Sequence, residues 1–145
     1  MTRQPGLGRT GNEFALKMLA DCKVSAALGM RLLMCEPGSA TVAMTVTEHM
    51  VNGQAITHGG CVFALADTAF ALACNGYGRF TVTAGATITF VAPSSVGDVL
   101  IAEAVERVRR GRSGVYDVTV RRGDDIVAEF RGTSREVGPS PAAGG

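Results

Sequence analysis

The stretch GGCVFALADTAFALACN, residues 59–75, constrains the fold of this chain more than any other. Wound as a helix over 60–75, it places Val62, Phe63, Leu65, Ala66, Ala69, Phe70, Leu72 and Ala73 at nearly every angle around the axis. A helix that is apolar all round has to be covered all round. Alanines at 64, 66, 69, 71 and 73 let whatever covers it approach closely.

The rest of the chain supplies a sheet for that purpose. SATVAMTVTEHM alternates Val42, Met44 and Val46 with Thr41, Thr45 and Thr47, the pattern of a half-buried strand. MRLLMCE precedes it, and EPGS has the composition of a hairpin turn. FTVTAGATITFVAP puts Phe80, Val82, Ala84, Ala86, Ile88 and Phe90 on one face and Thr81, Thr83, Thr87 and Thr89 on the other, ending at Pro93. Three more strands, DVLIAEAVERVRR, SGVYDVTVRR and DIVAEFRGTSREV, are joined by tight turns at GR and GDD. In the last of them Ile126, Ala128 and Phe130 are expected to face inward, with Glu129, Arg131 and Arg135 outward. Upstream, NEFALKMLADCKVSAALG predicts one short amphipathic helix from about Asn12 to Ala27, ended by Gly29. The order is helix, two strands, long helix, four strands. It predicts an α+β domain in which a curved antiparallel sheet wraps a central helix. Six strands leave part of such a helix open, so a second copy of the chain is expected to close the structure.

Composition removes several function classes. The chain has 145 residues, enough for one domain with a core. A formal net charge of +1 provides no field to recruit nucleic acid or an anionic membrane. No uninterrupted apolar run reaches the ~18 residues of a transmembrane helix. MTRQPGLGRTGNEF has no apolar signal core, so a cytoplasmic location is expected. The four cysteines, 22, 35, 61 and 74, form no C-x-x-C pair, and two histidines add little, so no metal site is expected. Cys61 and Cys74, roughly 20 Å apart along a helix, are too distant for a disulfide. The thiols therefore read as small buried hydrophobes. Residues 1–12 read as a frayed start, 1–138 as a single domain and 139–145 as a disordered tail.

Asp67 and Thr68 are the strongly polar side chains in the helix. A carboxylate in an apolar setting has a raised pKa and is a better base at neutral pH, although it equally serves as a cap or a crevice-facing group. Thr68 is placed to bond the carbonyl of Ala64. His58, Gly59 and Gly60 enter the helix, where free N–H groups and the dipole favour a developing oxyanion. His58 is a candidate base or a loop brace, and Asn52 a candidate to orient a carbonyl or water, or to brace the same turn. Gly59 and Asp67 are eight residues apart, about 12 Å along a helix. Reacting atoms have to lie within ~3.5 Å, so the two ends serve one reaction only if they come from different chains. ERVRRGRSG sets Arg107, Arg109, Arg110 and Arg112 around a hairpin turn, either a solvated turn or a phosphate clamp.

NGQAITHGGCVFALADTAFALACNGYG, Asn52 to Gly78, resembles the hotdog-fold acyl-CoA thioesterases of the PaaI type. TITFVAPSSVGD resembles the third strand and following turn of that family. The resemblance implies a hotdog fold, a homodimer with shared active sites paired into a homotetramer, and hydrolysis of acyl-CoA without metal or cofactor. It implies phenylacetyl or a related aryl or medium acyl group as the substrate portion. It matches Asp67 to the catalytic carboxylate and Gly59 to the residue whose N–H polarises the thioester carbonyl. Asn52 and His58 match the loop positions that orient water or carbonyl and hold the loop. Gly60, Val91, Pro93 and the turn Arg110, Gly111, Arg112 and Ser113 match the region receiving the coenzyme A chain. Some relatives hold the water with a hydroxyl from the strand after the helix. Here Ala84 and Gly85 stand at the matching positions, leaving Thr83, Thr87 and Thr68 as alternatives. A hotdog hydratase or dehydratase using His58, and a non-catalytic acyl-CoA-binding module, are the competing readings.

Overall fold

The computed structural model describes residues 11–139, and the predicted tail beyond Pro139 and the residues before Gly11 lie outside it. Helix α1 spans Gly11–Ala20 and α2 Lys23–Ala27. Strands β1 (Arg31–Glu36) and β2 (Ser39–Thr45) form a hairpin, followed by a 3-10 turn at Glu48–Met50. The central helix α3 spans Gly59–Asn75. Strands β3 (Arg79–Phe90), β4 (Val99–Arg110), β5 (Ser113–Arg122) and β6 (Asp125–Pro139) complete an antiparallel sheet of order β1-β2-β4-β5-β6-β3. This is the α+β architecture expected, with the sheet around one helix.

Leu65, Ala66, Ala69, Phe70, Leu72 and Ala73 are fully buried against the sheet. Phe70 packs edge-on against Tyr116, with ring centroids 5.5 Å apart. Gly132 of β6 makes room for it, since a Cβ there would lie 2.9 Å from two Phe70 ring carbons. The covering is not complete. Gly60 is exposed and Ala64, Asp67, Thr68 and Ala71 are half-buried, at helical spacing, so one stripe of α3 is left open by the sheet of its own chain.

Four local expectations are corrected. The N-terminal helix is two helices, because Cys22 takes an extended conformation and caps α2, its Sγ accepting from the Ser25 N–H at 3.4 Å. Cys22 and Cys61 are only half-buried, unlike Cys35 and Cys74. Strand β6 runs through Gly138 and Pro139, which pair with Phe80 and Arg79, two residues past the Val137 at which the sequence pattern ended it. The fourth concerns two β-bulges. Val120 pairs with Ala128 and Arg121 with Ile126, which makes Val127 an inserted residue. Val127 is buried, and Ile126, expected inside, joins Arg121 on the outer face.

The second bulge is at Ala84. Thr83 pairs with Ser134 and Gly85 with Thr133, so one extra residue stands in β3. Facing residues of an antiparallel pair share a face of the sheet. Ser134, Gly132 and Phe130 are buried, whereas Thr133 and Arg131 are exposed. Thr83 therefore shares the helix-facing side with Ala86 and Ile88, while Val82, opposite Arg135, faces out. The strict alternation read from the sequence inverts at this point.

Candidate active site

The start of α3 is built by His58. Its Nδ1 accepts the Gly60 N–H at 2.8 Å, so the ring proton resides on Nε2. The His58 carbonyl accepts from the Cys61 and Val62 amides at 2.9 and 3.3 Å. Of the first-turn amides, only Gly59 N–H finds no acceptor among the described residues. It is thus the free donor at the positive end of a 17-residue helix.

The loop before it is held from several sides. Asn52 Oδ1 accepts from the Gln54 N–H at 2.9 Å and the Ile56 N–H at 3.4 Å, bracing the turn. Thr57 and Ser94 are buried and tie this loop to the one after β3: Ser94 Oγ donates to Thr57 Oγ1 at 2.6 Å, and Thr57 N–H to the Ser94 carbonyl at 2.8 Å. The bulged Val127 carbonyl accepts from both the Val91 and Ala92 amides, and Arg122 donates to the Pro93 carbonyl. The result is a cleft of about 470 Å³ lined by Asn52, Gly59, Phe90, Val91 and Pro93. Gly59 meets the Phe90 ring directly, since a Cβ on it would lie 3.0 Å from Phe90 Cζ.

Asp67 lies two turns along α3, half-buried on the open stripe. Burial pushes its carboxyl above the usual aspartate range, and a hydrogen-bonding interaction with the Thr83 hydroxyl pulls more weakly the other way. The bulge at Ala84 is what turns Thr83 to this side. Thr68 is spent locally, its Oγ1 donating to the Ala64 carbonyl at 2.8 Å. Asp67 and Thr68 line a second, apolar cavity between α3 and the N-terminal helices, which shares no residue with the cleft at Gly59.

The arginine turn makes a third site. Gly111, Arg112 and Ser113 line a small polar pocket with Tyr77, Arg79 and Arg109. Arg109 stacks on the Tyr77 ring at 3.6 Å, and Arg79 is paired with Glu136. Arg110 does not line this pocket; it is exposed at the last ladder pair of the hairpin, opposite Ser113.

One protomer therefore brings Asn52, Gly59, Val91 and Pro93 together, and separately Asp67 with Thr68. Gly60 contributes its amide to the His58 cap rather than to the cleft. Sequence reasoning missed Thr57, Ser94 and Arg122 as cleft supports, and Tyr77 as the ring on which Arg109 of the arginine turn stacks. The first two carried a signal, as small hydroxyl residues flanking glycine and proline turns. Tyr77 lies apart from the strand that carries Arg109 and gave none.

Known proteins match the sequence and fold of this chain. A model described as Thioesterase superfamily matches residues 54–129. The acyl-coenzyme A thioesterase PaaI of Escherichia coli K12 is 45% identical over 113 residues, 77% of this chain and 81% of that protein. The structure of the E. coli PaaI protein from the phenylacetic acid degradation operon superposes with a TM-score of 0.87 at 40% identity, over 90% of this chain and 95% of that one. Protein smu.793 of Streptococcus mutans UA159, solved bound to acetyl CoA, superposes with a TM-score of 0.73 at 25% identity, over 76% and 90% of the two chains. The helix wrapped by its sheet, the free amide at its N-terminus and these matches lead to one assignment: the chain belongs to the thioesterase superfamily, as a hotdog-fold thioester hydrolase.

Proposed function

We propose that the protein hydrolyses acyl-CoA thioesters in sites shared between two copies of the chain, two sites per dimer, with dimers pairing into a tetramer. The observation that carries this reading is the half-buried carboxylate of Asp67 on the one stripe of α3 its own sheet leaves open. A second copy covering that stripe would set its Gly59 beside this Asp67, which the helix spacing forbids within one chain.

The thioester carbonyl oxygen accepts from the Gly59 N–H of one copy, assisted by the amide of Asn52. Thr83 and Asp67 of the other copy hold a water between hydroxyl and carboxylate. Asp67 takes a proton from that water as its oxygen bonds to the carbonyl carbon, and the negative charge gathers on the carbonyl oxygen at the helix N-terminus. Collapse of this tetrahedral centre breaks the C–S bond, and the proton on Asp67 passes to the departing sulfur. The products are the free acid and coenzyme A, and the carboxylate is restored. His58 holds the helix cap in this scheme, and no metal or cofactor enters it. The coenzyme A chain follows Phe90 to Pro93, and Arg109 and Arg112 meet its phosphates. PaaI of E. coli, the protein most extensively matched above, directs the choice of phenylacetyl or a hydroxylated relative as the acyl group.

Thiol release from a panel of acyl-CoAs tests the proposal. Asp67→Asn keeps the shape of the side chain and removes the base, and kcat should fall by about 10²–10⁴-fold with binding largely retained. Full activity in that variant would refute the mechanism. Single turnover in ¹⁸O-water should leave the label in the released acid and none in the Asp67 side chain, as a base rather than a nucleophile requires.

A further inference from the structure

We propose that Tyr77 is a positioning residue: its ring aims the Arg109 guanidinium at the anionic part of the substrate, and Glu106 holds the ring. The proposal rests on Arg109 meeting a coenzyme A phosphate, and it adds what fixes that charge in place.

A further β-bulge brings the partners to one face of the sheet. Glu106 pairs with Tyr116 and Val108 with Val115, so Arg107 is an inserted residue in β4. In a regular strand residues 106 and 109 would point to opposite faces. Here Arg109, opposite Gly114, shares the helix-facing side with Glu106, which stands opposite the buried Tyr116. Arg107 turns to the outer face and pairs with Asp117 at 2.7 Å. The insertion thus sends one arginine to each side of the sheet.

Tyr77 lies in the link between α3 and β3 and meets this face from the end of the helix. The backbone beside it is packed closely: a Cβ on Gly76 would lie 2.9 Å from the Glu36 carbonyl oxygen, and the Gly78 N–H donates to the Asn75 carbonyl at 3.0 Å. The Tyr77 hydroxyl donates to Glu106 Oε1 at 2.9 Å, and the buried Tyr116 hydroxyl donates to the same oxygen at 3.0 Å. A Cβ on Gly38 would stand 3.0 Å from the Tyr77 hydroxyl oxygen, so the β1–β2 turn closes over it. Burial, and then Glu106, push the Tyr77 phenol above its usual range against an opposing pull from Arg109, so the donated proton stays in place. The ring so fixed carries the Arg109 guanidinium 3.6 Å from its centroid. Arg79, Arg107, Arg121, Arg122 and Arg131 are each paired with a carboxylate, whereas Arg109 has no such partner among the described residues. An aromatic face orients a guanidinium without neutralising it. Arg109 therefore keeps its charge for the polar pocket that it lines with Arg112, Ser113 and Ser134. Ser134 adds a buried hydroxyl there, with no hydrogen-bond partner among the described residues.

Steady-state thiol release is measured with phenylacetyl-CoA and with S-phenylacetyl-pantetheine, a thioester that lacks every phosphate. Tyr77→Leu should raise KM for the CoA thioester about three- to fivefold and leave kcat within about twofold. The same variant should leave kcat/KM for the pantetheine thioester within about twofold of wild type. In an Arg109→Ala background, Tyr77→Leu should raise KM no further, because nothing remains to be positioned. Arg109→Lys, an exposed change that keeps the charge and loses the flat stack, should recover less than about half of the KM lost in Arg109→Ala. Multiplying effects of Tyr77→Leu and Arg109→Ala, full recovery by the lysine, or an Arg109→Ala loss that Tyr77→Leu does not share would overturn the proposal and leave the phosphate reading intact. An equal loss for both thioesters in Tyr77→Leu would show a merely structural ring and overturn it as well. Arg109→Ala without effect on KM removes the phosphate reading for that residue, and this proposal with it.

Discussion

Gly59→Ala separates a catalytic role of the helix N-terminus from a packing role, because the structure sets the two effects at very different sizes. A Cβ on residue 59 would lie 3.0 Å from Phe90 Cζ and 3.4 Å from both Cε atoms. Carbon atoms in contact settle at about 3.5–4.0 Å, so the ring has to withdraw by about 0.5–1 Å. Phe90 is 52% exposed and borders open cleft, so the ring gives way at low cost. Gly59 is not among the glycines with positive φ, and a Gly→Ala change at a compatible position gains about 0.4–1 kcal/mol through the unfolded chain. The two contributions offset each other to within about 1 kcal/mol, or about 4 °C in Tm for a chain of this size. Catalysis is affected far more. The displaced ring and the new methyl crowd the space through which a carbonyl oxygen has to come within about 2.7–3.1 Å of the Gly59 nitrogen, and loss of one such donor costs about 10²–10³ in kcat. Thiol release should therefore show kcat/KM reduced about 10²-fold in a protein whose calorimetric Tm has barely moved. Activity within twofold of wild type would show that the carbonyl does not seat there. A Tm lowered by more than about 8 °C would show that the glycine serves packing.

The remaining predictions concern charge and core. Asp67 has a raised pKa in the fold, so kcat/KM should fall with decreasing pH along a limb lying above the ordinary aspartate value of about 3.9, and a limb at or below that value would contradict its burial. The same shift fixes a stability sign. The raised group does not oppose folding below its unfolded pKa, and it does so increasingly as pH rises through the folded value. Asp67→Asn should accordingly melt higher than wild type at pH 7, with the gain vanishing near pH 3.5; a gain that grew on acidification would refute this. Arg109→Ala with Arg112→Ala should raise KM about tenfold and spare kcat, whereas Arg110→Ala should change neither, as the geometry of the polar pocket requires. Asn75 is buried and bonds the Ala71 and Thr81 carbonyls and the Thr81 N–H, so Asn75→Ala should cost about 2–4 kcal/mol in denaturant titration. Gly132→Ala should cost about 1–3 kcal/mol, because the obstructing Phe70 ring is fully buried and has nowhere to retreat.

The central helix and the order of the strands were legible because their signals are local: an apolar run long enough for only one kind of element, then alternation broken by turns. The separation of Gly59 from Asp67 was legible too, from helix rise alone, and the structure sets them in cavities with no residue in common. What the sequence concealed depends on partners. Cys22 as a helix cap is not foreseen by the usual preference for Ser, Thr, Asp and Asn. Thr83 and Ile126 were assigned to the wrong faces because a bulge is decided by the register of the neighbouring strand, which alternation within one strand cannot reveal. These two failures are not scattered. The bulge at Val127 presents the carbonyl that fixes the Val91 and Ala92 amides, and with them the wall of the cleft facing Gly59. The bulge at Ala84 rotates Thr83 from the solvent face to Asp67. Each half of the proposed site thus owes one of its groups to an inserted residue that a regular sheet would not tolerate. The places where simple periodicity fails in this chain are the places where it departs from an ideal wrapped helix to make room for chemistry.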